Sequence, residues 1–184
     1  MRRRFALLVL AGLCVPQMAL AADDGLSAAA NAAYLAANAK KPGTVTRPSG
    51  LQYRALRNGV GRRPGSNDVV QIRYGIRLIN GTLVDSTTPS LPAAAVLSTI
   101  TLAGLSEALS LMREGDHWQI VMPSNLGFGA TSAVAGLVPP GQALVMDLTL
   151  VSAVAPRPGE APPPNPFSLW GNAYTHGAAI TIRP

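Results

Sequence analysis

The sequence predicts an α+β fold, in which several antiparallel strands are covered on one face by a short helix. Segments in which apolar and polar residues alternate, as in half-buried strands, recur between residues 51 and 151. Only one stretch among them has apolar residues at helical spacing, so a single helix is expected to cover the sheet. Composition divides the whole chain into four regions: 1–21, 22–43, 44–154 and 155–184.

The first region has the composition of a signal peptide. Arg2–Arg4 form a positively charged start, and the apolar run 5–15 has the length of a signal-peptide core. This run is too short to span a bilayer. Ala19–Ala21 supplies the small residues of a cleavage site, so we predict cleavage after Ala21. The leader predicts export to the periplasm, with secretion as the alternative.

The charge of the mature chain is too small and too scattered for a nucleic-acid-binding protein. The full chain carries a formal charge of +6, and removal of Arg2–Arg4 leaves twelve basic against nine acidic residues, or +3. Arg62-Arg63 is the only adjacent pair of arginines that remains, and we interpret it as part of a solvated loop. No stretch of the mature chain is apolar enough to predict a membrane span.

Residues 22–41 are rich in alanine and predict one amphipathic helix ahead of the sheet. Pro42-Gly43 ends it. We interpret this helix as an extension that packs weakly on the domain, and a contact helix for homodimerisation or for client proteins is the alternative. Its apolar residues recur at about 3.6-residue intervals and are Leu26, Ala30, Ala33, Tyr34 and Ala37.

The central region predicts five strands and one short helix. Asn80-Gly81 follows the second strand and is the strongest hairpin signal in the chain. The helix carries apolar residues from Leu105 to Met112 and is closed by Gly115. The predicted strands are 51–56, 70–78, 83–84, 118–122 and 143–151.

The last region is rich in proline. Six prolines lie between Pro156 and Pro166, and such a run favours the polyproline II conformation and cannot build a sheet. The stretch from 167 to 184 has aromatic residues without a clear period. We therefore interpret 155–184 as a largely disordered tail.

The mature chain lacks the residue patterns of hydrolases, metalloenzymes and kinases. His117 and His176 are the only histidines and stand in no metal-ligand spacing, and Cys14, the only cysteine, lies in the leader. Gly127 and Gly129 are not followed by the Lys-Ser or Lys-Thr pair of a phosphate loop. We therefore predict no metal and no cofactor.

Several motifs in order nevertheless resemble one family. Ser49–Tyr53 resembles an opening strand of that family, and Gly81–Ser86 is similar to its GTxFDSS segment. Residues 104–118 match its helix and following strand, while Phe128-Gly129 and 137–140 match a long loop over its pocket. The set resembles the bacterial FKBP-type peptidyl-prolyl isomerases of the macrophage-infectivity-potentiator kind. The resemblance implies an antiparallel half-barrel β-sheet wrapped around one short helix.

The resemblance also implies a reaction that needs no acid, base or metal. An Xaa–Pro bond isomerises slowly because amide resonance keeps it planar, with a barrier of about 18–20 kcal/mol. A dry apolar pocket stabilises the dipolar planar form less than water does, so the twisted form becomes relatively cheaper. The implied substrates are proline-containing unfolded or nascent exported polypeptides.

The resemblance assigns catalytic roles to three residues. Tyr74 matches a pocket-wall tyrosine, and Asp85 matches an acid that approaches the twisted carbonyl. Phe128 stands where the family has a tyrosine whose hydroxyl binds the substrate carbonyl. The implied substrate-binding residues are Val84, Ala93, Thr101, Leu102, Leu105, Leu137, Val138 and Met146.

The pocket positions are poorer in aromatic residues than the resemblance implies. Val84, Ala93 and Met146 replace phenylalanines, Leu105 replaces a tryptophan, and Phe128 lacks the expected hydroxyl. Two functions follow. One is a prolyl isomerase of reduced activity, and the other is a non-catalytic chaperone or peptide-binding module that uses the same apolar cleft. An interaction protein acting through its proline-rich tail is a third hypothesis.

Overall fold

The computed structural model describes residues 25–130, 137–159 and 161–166, so the predicted signal peptide and residues 167–184 of the tail lie outside the described residues. Within them, no helix is long and apolar enough to cross a membrane. Short 3₁₀ turns occupy Leu97–Thr99 and Ser124–Leu126. The helices and strands are α1 (Ala28–Ala39), β1 (Val45–Thr46), β2 (Gln52–Arg57), β3 (Val69–Leu78), β4 (Leu83–Ser86), β5 (Ala93–Val96), α2 (Ala103–Leu111), β6 (His117–Met122) and β7 (Leu144–Val154).

The strands form one antiparallel seven-stranded sheet, which confirms the predicted α+β fold. Its order is β1-β2-β6-β7-β3-β4, and β5 pairs with the other half of β3. Alternation predicted β3 well, because every second residue from Val70 to Leu78 is buried and the intervening ones are more exposed. The buried side chains of β3 point toward α2 and form the core with it.

The helix α2 covers the inner face of the sheet, as predicted. Leu105, Ala108 and Leu109 are fully buried there. Gly104 allows the close approach, because a Cβ at this position would lie 2.5 Å from Sδ of Met122 on β6. Gly115, with φ of 88°, then turns the chain back into β6.

Two strands were not predicted. The strand β5 consists of three alanines and a valine, and alanine has a low strand propensity. It is a strand because it pairs with Val69–Ile72. Such pairing with a distant segment cannot be recognised from the sequence of the strand itself. The strand β1 is only two residues long. The predicted hairpin at Asn80-Gly81 is confirmed, with φ of 91° at Gly81 and its N–H donated to the Leu78 carbonyl.

The helix α1 is placed correctly, but its predicted apolar face is only partly buried. Ala33 and Ala37 are exposed, whereas Asn31 and Asn38 are each 5% exposed. The amide of Asn38 donates to the side chain of Gln52 on β2 at 2.8 Å. Paired amides rather than an apolar stripe therefore fix this helix to the domain.

Arg62 is exposed in the loop between β2 and β3, as the solvated-loop interpretation predicted, but its side chain also makes specific contacts. Its Nη2 lies 2.5 Å from the carboxylate of Asp68, which is 6% exposed, and its Nε donates to the Ala153 carbonyl at 2.9 Å. The Asp68 carboxylate also accepts the Gly65 N–H at 2.6 Å. Arg62 thus ties the loop before β3 to the end of β7.

Candidate active site

A tyrosine–carboxylate pair lies on the inner face of the sheet. The alternation of β3 turns Tyr74 inward, where the residue is 9% exposed. Its hydroxyl donates to Oδ2 of Asp85 on β4 at 2.8 Å. The other carboxylate oxygen accepts the N–H of Ser86 at 2.8 Å. Both oxygens are therefore held, and the half-buried Asp85 presents a fixed negative charge at the edge of the core.

A β-bulge brings Asp85 to this position. Ile76 pairs with Asp85 but Arg77 pairs with Leu83, so Val84 is the extra residue of β4. A bulge breaks the strict alternation of a strand and re-aims its side chains. As a result, consecutive residues both reach the inner side: Val84 is 8% exposed, and Asp85 contacts Tyr74.

Thr87 supports the pair and was missed in the sequence. The N–H of Tyr74 donates to its hydroxyl oxygen at 3.0 Å, and the N–H of Thr87 donates to the Tyr74 carbonyl at 3.0 Å. These bonds continue the contact between β3 and the chain beyond β4. The only signal was the position of Thr87, two residues after Asp85.

The environment of Tyr74 keeps its hydroxyl protonated. Burial raises the pKa of this phenol well above its usual range, and the neighbouring Asp85 carboxylate raises it further by its charge and its hydrogen bond. The hydroxyl therefore remains a hydrogen-bond donor to Asp85 throughout the physiological pH range.

The apolar positions of the predicted site lie in one core. Leu105 on α2 and Met146 on β7 are fully buried, and Leu102 and Val138 are 4% and 1% exposed. All four belong to the same buried cluster as Tyr74. Aliphatic side chains thus close the base of the site where the family resemblance implied large rings.

The remaining predicted residues lie nearer the surface. Phe128 and Ala93 are half-buried and pack against the core. Thr101, just before α2, is exposed, and Leu137 is half-buried. These four residues are more accessible than the aliphatic base, as substrate contacts would need to be.

A surface groove of about 630 Å³ lies away from this site. It is bounded by Val69 and Gln71, which alternate with the inward residues of β3 and so lie on the opposite face of the sheet. The proline-rich segment, including Pro163, forms its other wall. In the described part of the tail, Asn165 donates to the Thr99 carbonyl at 2.7 Å. Disorder of the rest of the tail stays a prediction.

The part of the chain that the structure describes offers no cluster of metal-ligating side chains. No three His, Cys, Asp or Glu side chains come together there as a metal site would require. The charged group at the candidate site is the carboxylate of Asp85, which accepts hydrogen bonds from the Tyr74 hydroxyl and the Ser86 N–H.

Two family models match the chain in order. Residues 61–151 match the FKBP-type peptidyl-prolyl cis-trans isomerase, and residues 17–55 match the domain amino terminal to FKBP-type peptidyl-prolyl isomerase. The chain is 39% identical over 120 residues to the outer membrane protein MIP of Legionella longbeachae, which covers 65% of this chain and 51% of that protein. It is 40% identical over 121 residues to the peptidyl-prolyl cis-trans isomerase Mip of Coxiella burnetii, covering 65% and 52%. The chain thus spans about half the length of these curated relatives.

A solved structure extends the likeness to the fold. The crystal structure of a peptidyl-prolyl cis-trans isomerase from Pseudomonas syringae superposes with a TM-score of 0.64 at 30% sequence identity. The match covers 72% of this chain and 95% of that one. The ordered motifs, the sheet around α2 and these matches agree, and the chain belongs to the FKBP-type peptidyl-prolyl cis-trans isomerase family.

Proposed function

We propose that this protein catalyses the cis–trans isomerisation of Xaa–Pro bonds in polypeptides. The observation that carries the proposal is the hydrogen bond of 2.8 Å between Tyr74 and Asp85, which fixes a carboxylate beside an aliphatic base. Leu105 and Met146 form that base and are both fully buried. The site thus combines one fixed charge with fully buried apolar side chains of the same core.

This combination suits a reaction whose transition state is a twisted amide. In the planar ground state, resonance gives the amide a larger dipole, which water stabilises better than an apolar surface does. Transfer into the cleft therefore costs the planar form more than the twisted form. The oriented Asp85 carboxylate adds an electrostatic interaction with the carbonyl of the twisted bond, and the Tyr74 hydroxyl holds that carboxylate in place.

We propose that the rate is lower than a site with the full aromatic set would give. Phe128 lacks a hydroxyl that could donate to the substrate carbonyl. One net hydrogen bond contributes about 0.5–1.5 kcal/mol, or roughly twofold to tenfold in rate. Val84, Leu105 and Met146 keep the site apolar but supply less rigid contact area than rings would.

The proposed substrates are proline-containing unfolded or nascent exported polypeptides. Export to the periplasm is supported by the signal-peptide composition of residues 1–21, and secretion is the alternative. One relative, the outer membrane protein MIP of Legionella longbeachae, agrees with an envelope location. A homodimer through α1 is part of the proposal, because the outer side of that helix carries exposed Ala29, Ala33 and Ala36.

The test is an isomerisation assay on a short Xaa–Pro peptide, in which a protease cleaves only the trans form. A folded sample of the full chain should accelerate the slow phase in proportion to its concentration. No acceleration from a sample with native circular dichroism would refute the proposed activity. Suppressed aggregation of an unfolded client by that same inactive sample would instead identify a non-catalytic chaperone.

A further inference from the structure

A cluster of paired amides joins α1 to the segment just before β7. The side chain of Asn31 donates to Oε1 of Gln142 at 3.0 Å and accepts the N–H of Ala143 at 2.8 Å. Nε2 of Gln142 donates to the carbonyls of Leu26 and Pro140, at 3.0 and 3.2 Å. The amide nitrogen and the amide oxygen of Asn31 thus both bind residues that lie more than 110 positions later in the sequence.

These amides are buried, which makes their pairing costly to lose. Asn31 and Gln142 are each 5% exposed, and Ala143 is 1% exposed. Loss of Asn31 would leave Oε1 of Gln142 and the N–H of Ala143 without the partner that Asn31 provides, and unsatisfied buried polar groups are unfavourable. Asparagine is also a poor residue for a helix interior, and Nδ2 of Asn31 additionally donates to the Leu26 and Ser27 carbonyls just before α1.

The clamped residues continue directly into the predicted site. We call residues 137–143 the loop base. Its Val138 packs in the core at 1% exposure, four residues before Gln142. The N–H of Gly141 donates to the carbonyl of Gly129 at 3.0 Å, and Gly129 follows Phe128. A shift of the loop base at Gln142 would therefore be transmitted to both Val138 and Phe128.

We infer that Asn31 is a positioning residue for substrate binding. It acts by holding the loop base against α1 through its hydrogen bonds to Gln142 and Ala143. This inference rests on the proposed function, since it assigns Asn31 to the isomerase cleft. It gives α1 a role within the same chain: the helix holds residues that the substrate contacts, although Asn31 itself touches no substrate.

The helix offers a matched control in Asn38. It lies seven residues after Asn31, is also 5% exposed, and donates to a buried glutamine, Gln52, at 2.8 Å. Gln52 lies on β2, however, so this pair fixes α1 to the sheet and not to the loop base. Asn38→Ala should therefore loosen the helix to a similar extent and leave the loop base in place.

Steady-state kinetics on an Xaa–Pro peptide separates the two roles. In the full chain, Asn31→Ala should raise KM about threefold to tenfold with little change in kcat, because a misplaced binding surface is lost equally in ground and transition states. Partial unfolding would instead lower the apparent kcat and leave KM unchanged, and that is the expected result for Asn38→Ala. Gln142→Ala breaks the clamp from the loop side and should raise KM like Asn31→Ala.

Amide hydrogen exchange tests the clamp without any need for activity. Exchange at Gly141, whose N–H is bonded to Gly129, should become about tenfold faster in Asn31→Ala and Gln142→Ala and stay near wild type in Asn38→Ala. A wild-type chain without isomerase activity would refute the proposed function. Unchanged Gly141 exchange or unchanged KM in Asn31→Ala would refute the inference, as would equal effects in Asn38→Ala.

Discussion

Replacing Asp85 separates its contribution to stability from its contribution to catalysis. Asp85→Ala leaves the hydroxyl of Tyr74 without its acceptor at 2.8 Å, on a residue that is 9% exposed. An unsatisfied buried hydroxyl costs about 1–3 kcal/mol, and water entering beside the half-buried residue 85 should hold the cost near 1 kcal/mol. For a domain of roughly 100 residues, this lowers Tm by about 4–8 °C.

Two further variants give this prediction its controls. Asp85→Asn keeps an oxygen that can accept the Tyr74 hydroxyl, so its Tm should lie within about 2 °C of wild type. The lost charge should nevertheless lower kcat/KM about tenfold, which corresponds to about 1.4 kcal/mol. Asp85→Ala combined with Tyr74→Phe removes both partners, so it should regain most of the lost Tm but none of the activity.

Thermal unfolding by circular dichroism and the Xaa–Pro assay on the same samples provide both readouts. An Asp85→Asn variant that isomerises as fast as wild type would refute the catalytic role of the charge. If the double variant is no more stable than Asp85→Ala, the unsatisfied Tyr74 hydroxyl does not cause the loss of stability. The hydrogen bond between Tyr74 and Asp85 would then not contribute to stability as described.

Three other predictions follow from single residues. Burial and Asp85 raise the pKa of Tyr74 in the folded state, so the free energy of unfolding should not depend on this group below the usual tyrosine pKa near 10. Above that pH it should fall by up to about 1.4 kcal/mol per pH unit. Urea titrations at pH 8 to 11 should therefore show a shallower fall in Tyr74→Phe. Gly59→Ala should lower Tm strongly, because its Cβ would overlap the Glu114 carbonyl oxygen, whereas Gly75→Ala, with no atom within 4 Å, should not. Equal Tm values for the two variants would contradict this close packing of Gly59 against Glu114. Phe128→Tyr should raise kcat/KM roughly twofold to tenfold by adding a donor at the cleft, and unchanged kinetics would remove Phe128 from the site.

Local periodicity predicted the elements that bury one continuous face. The alternation in β3 and the helical spacing of α2 both arise because one face of each element is buried, so the local sequence contains the pattern. The same reasoning was incomplete at α1, where Ala33 and Ala37 are exposed and the buried residues are Asn31 and Asn38. Their burial depends on amide partners 111 and 14 residues away, and no local pattern contains that information.

The candidate site was predictable to a similar extent. Family motifs indicated Tyr74 and Asp85, whose side chains are in contact. The bulge at Val84 depends on strand register, and the support from Thr87 depends on how β3 meets the chain after β4, so neither could be derived from periodicity. The motifs also gave no reason to connect α1 with the loop base.

The central claim is that an aliphatic cleft beside a fixed Asp85 still lowers the barrier of an Xaa–Pro bond. NMR exchange spectroscopy on a proline peptide, with a catalytic amount of the full chain, tests it most directly. We predict faster cis-to-trans and trans-to-cis exchange with an unchanged cis fraction, and slower exchange when Asp85→Asn replaces the wild type. Exchange at the uncatalysed rate with a folded wild-type sample would contradict the account.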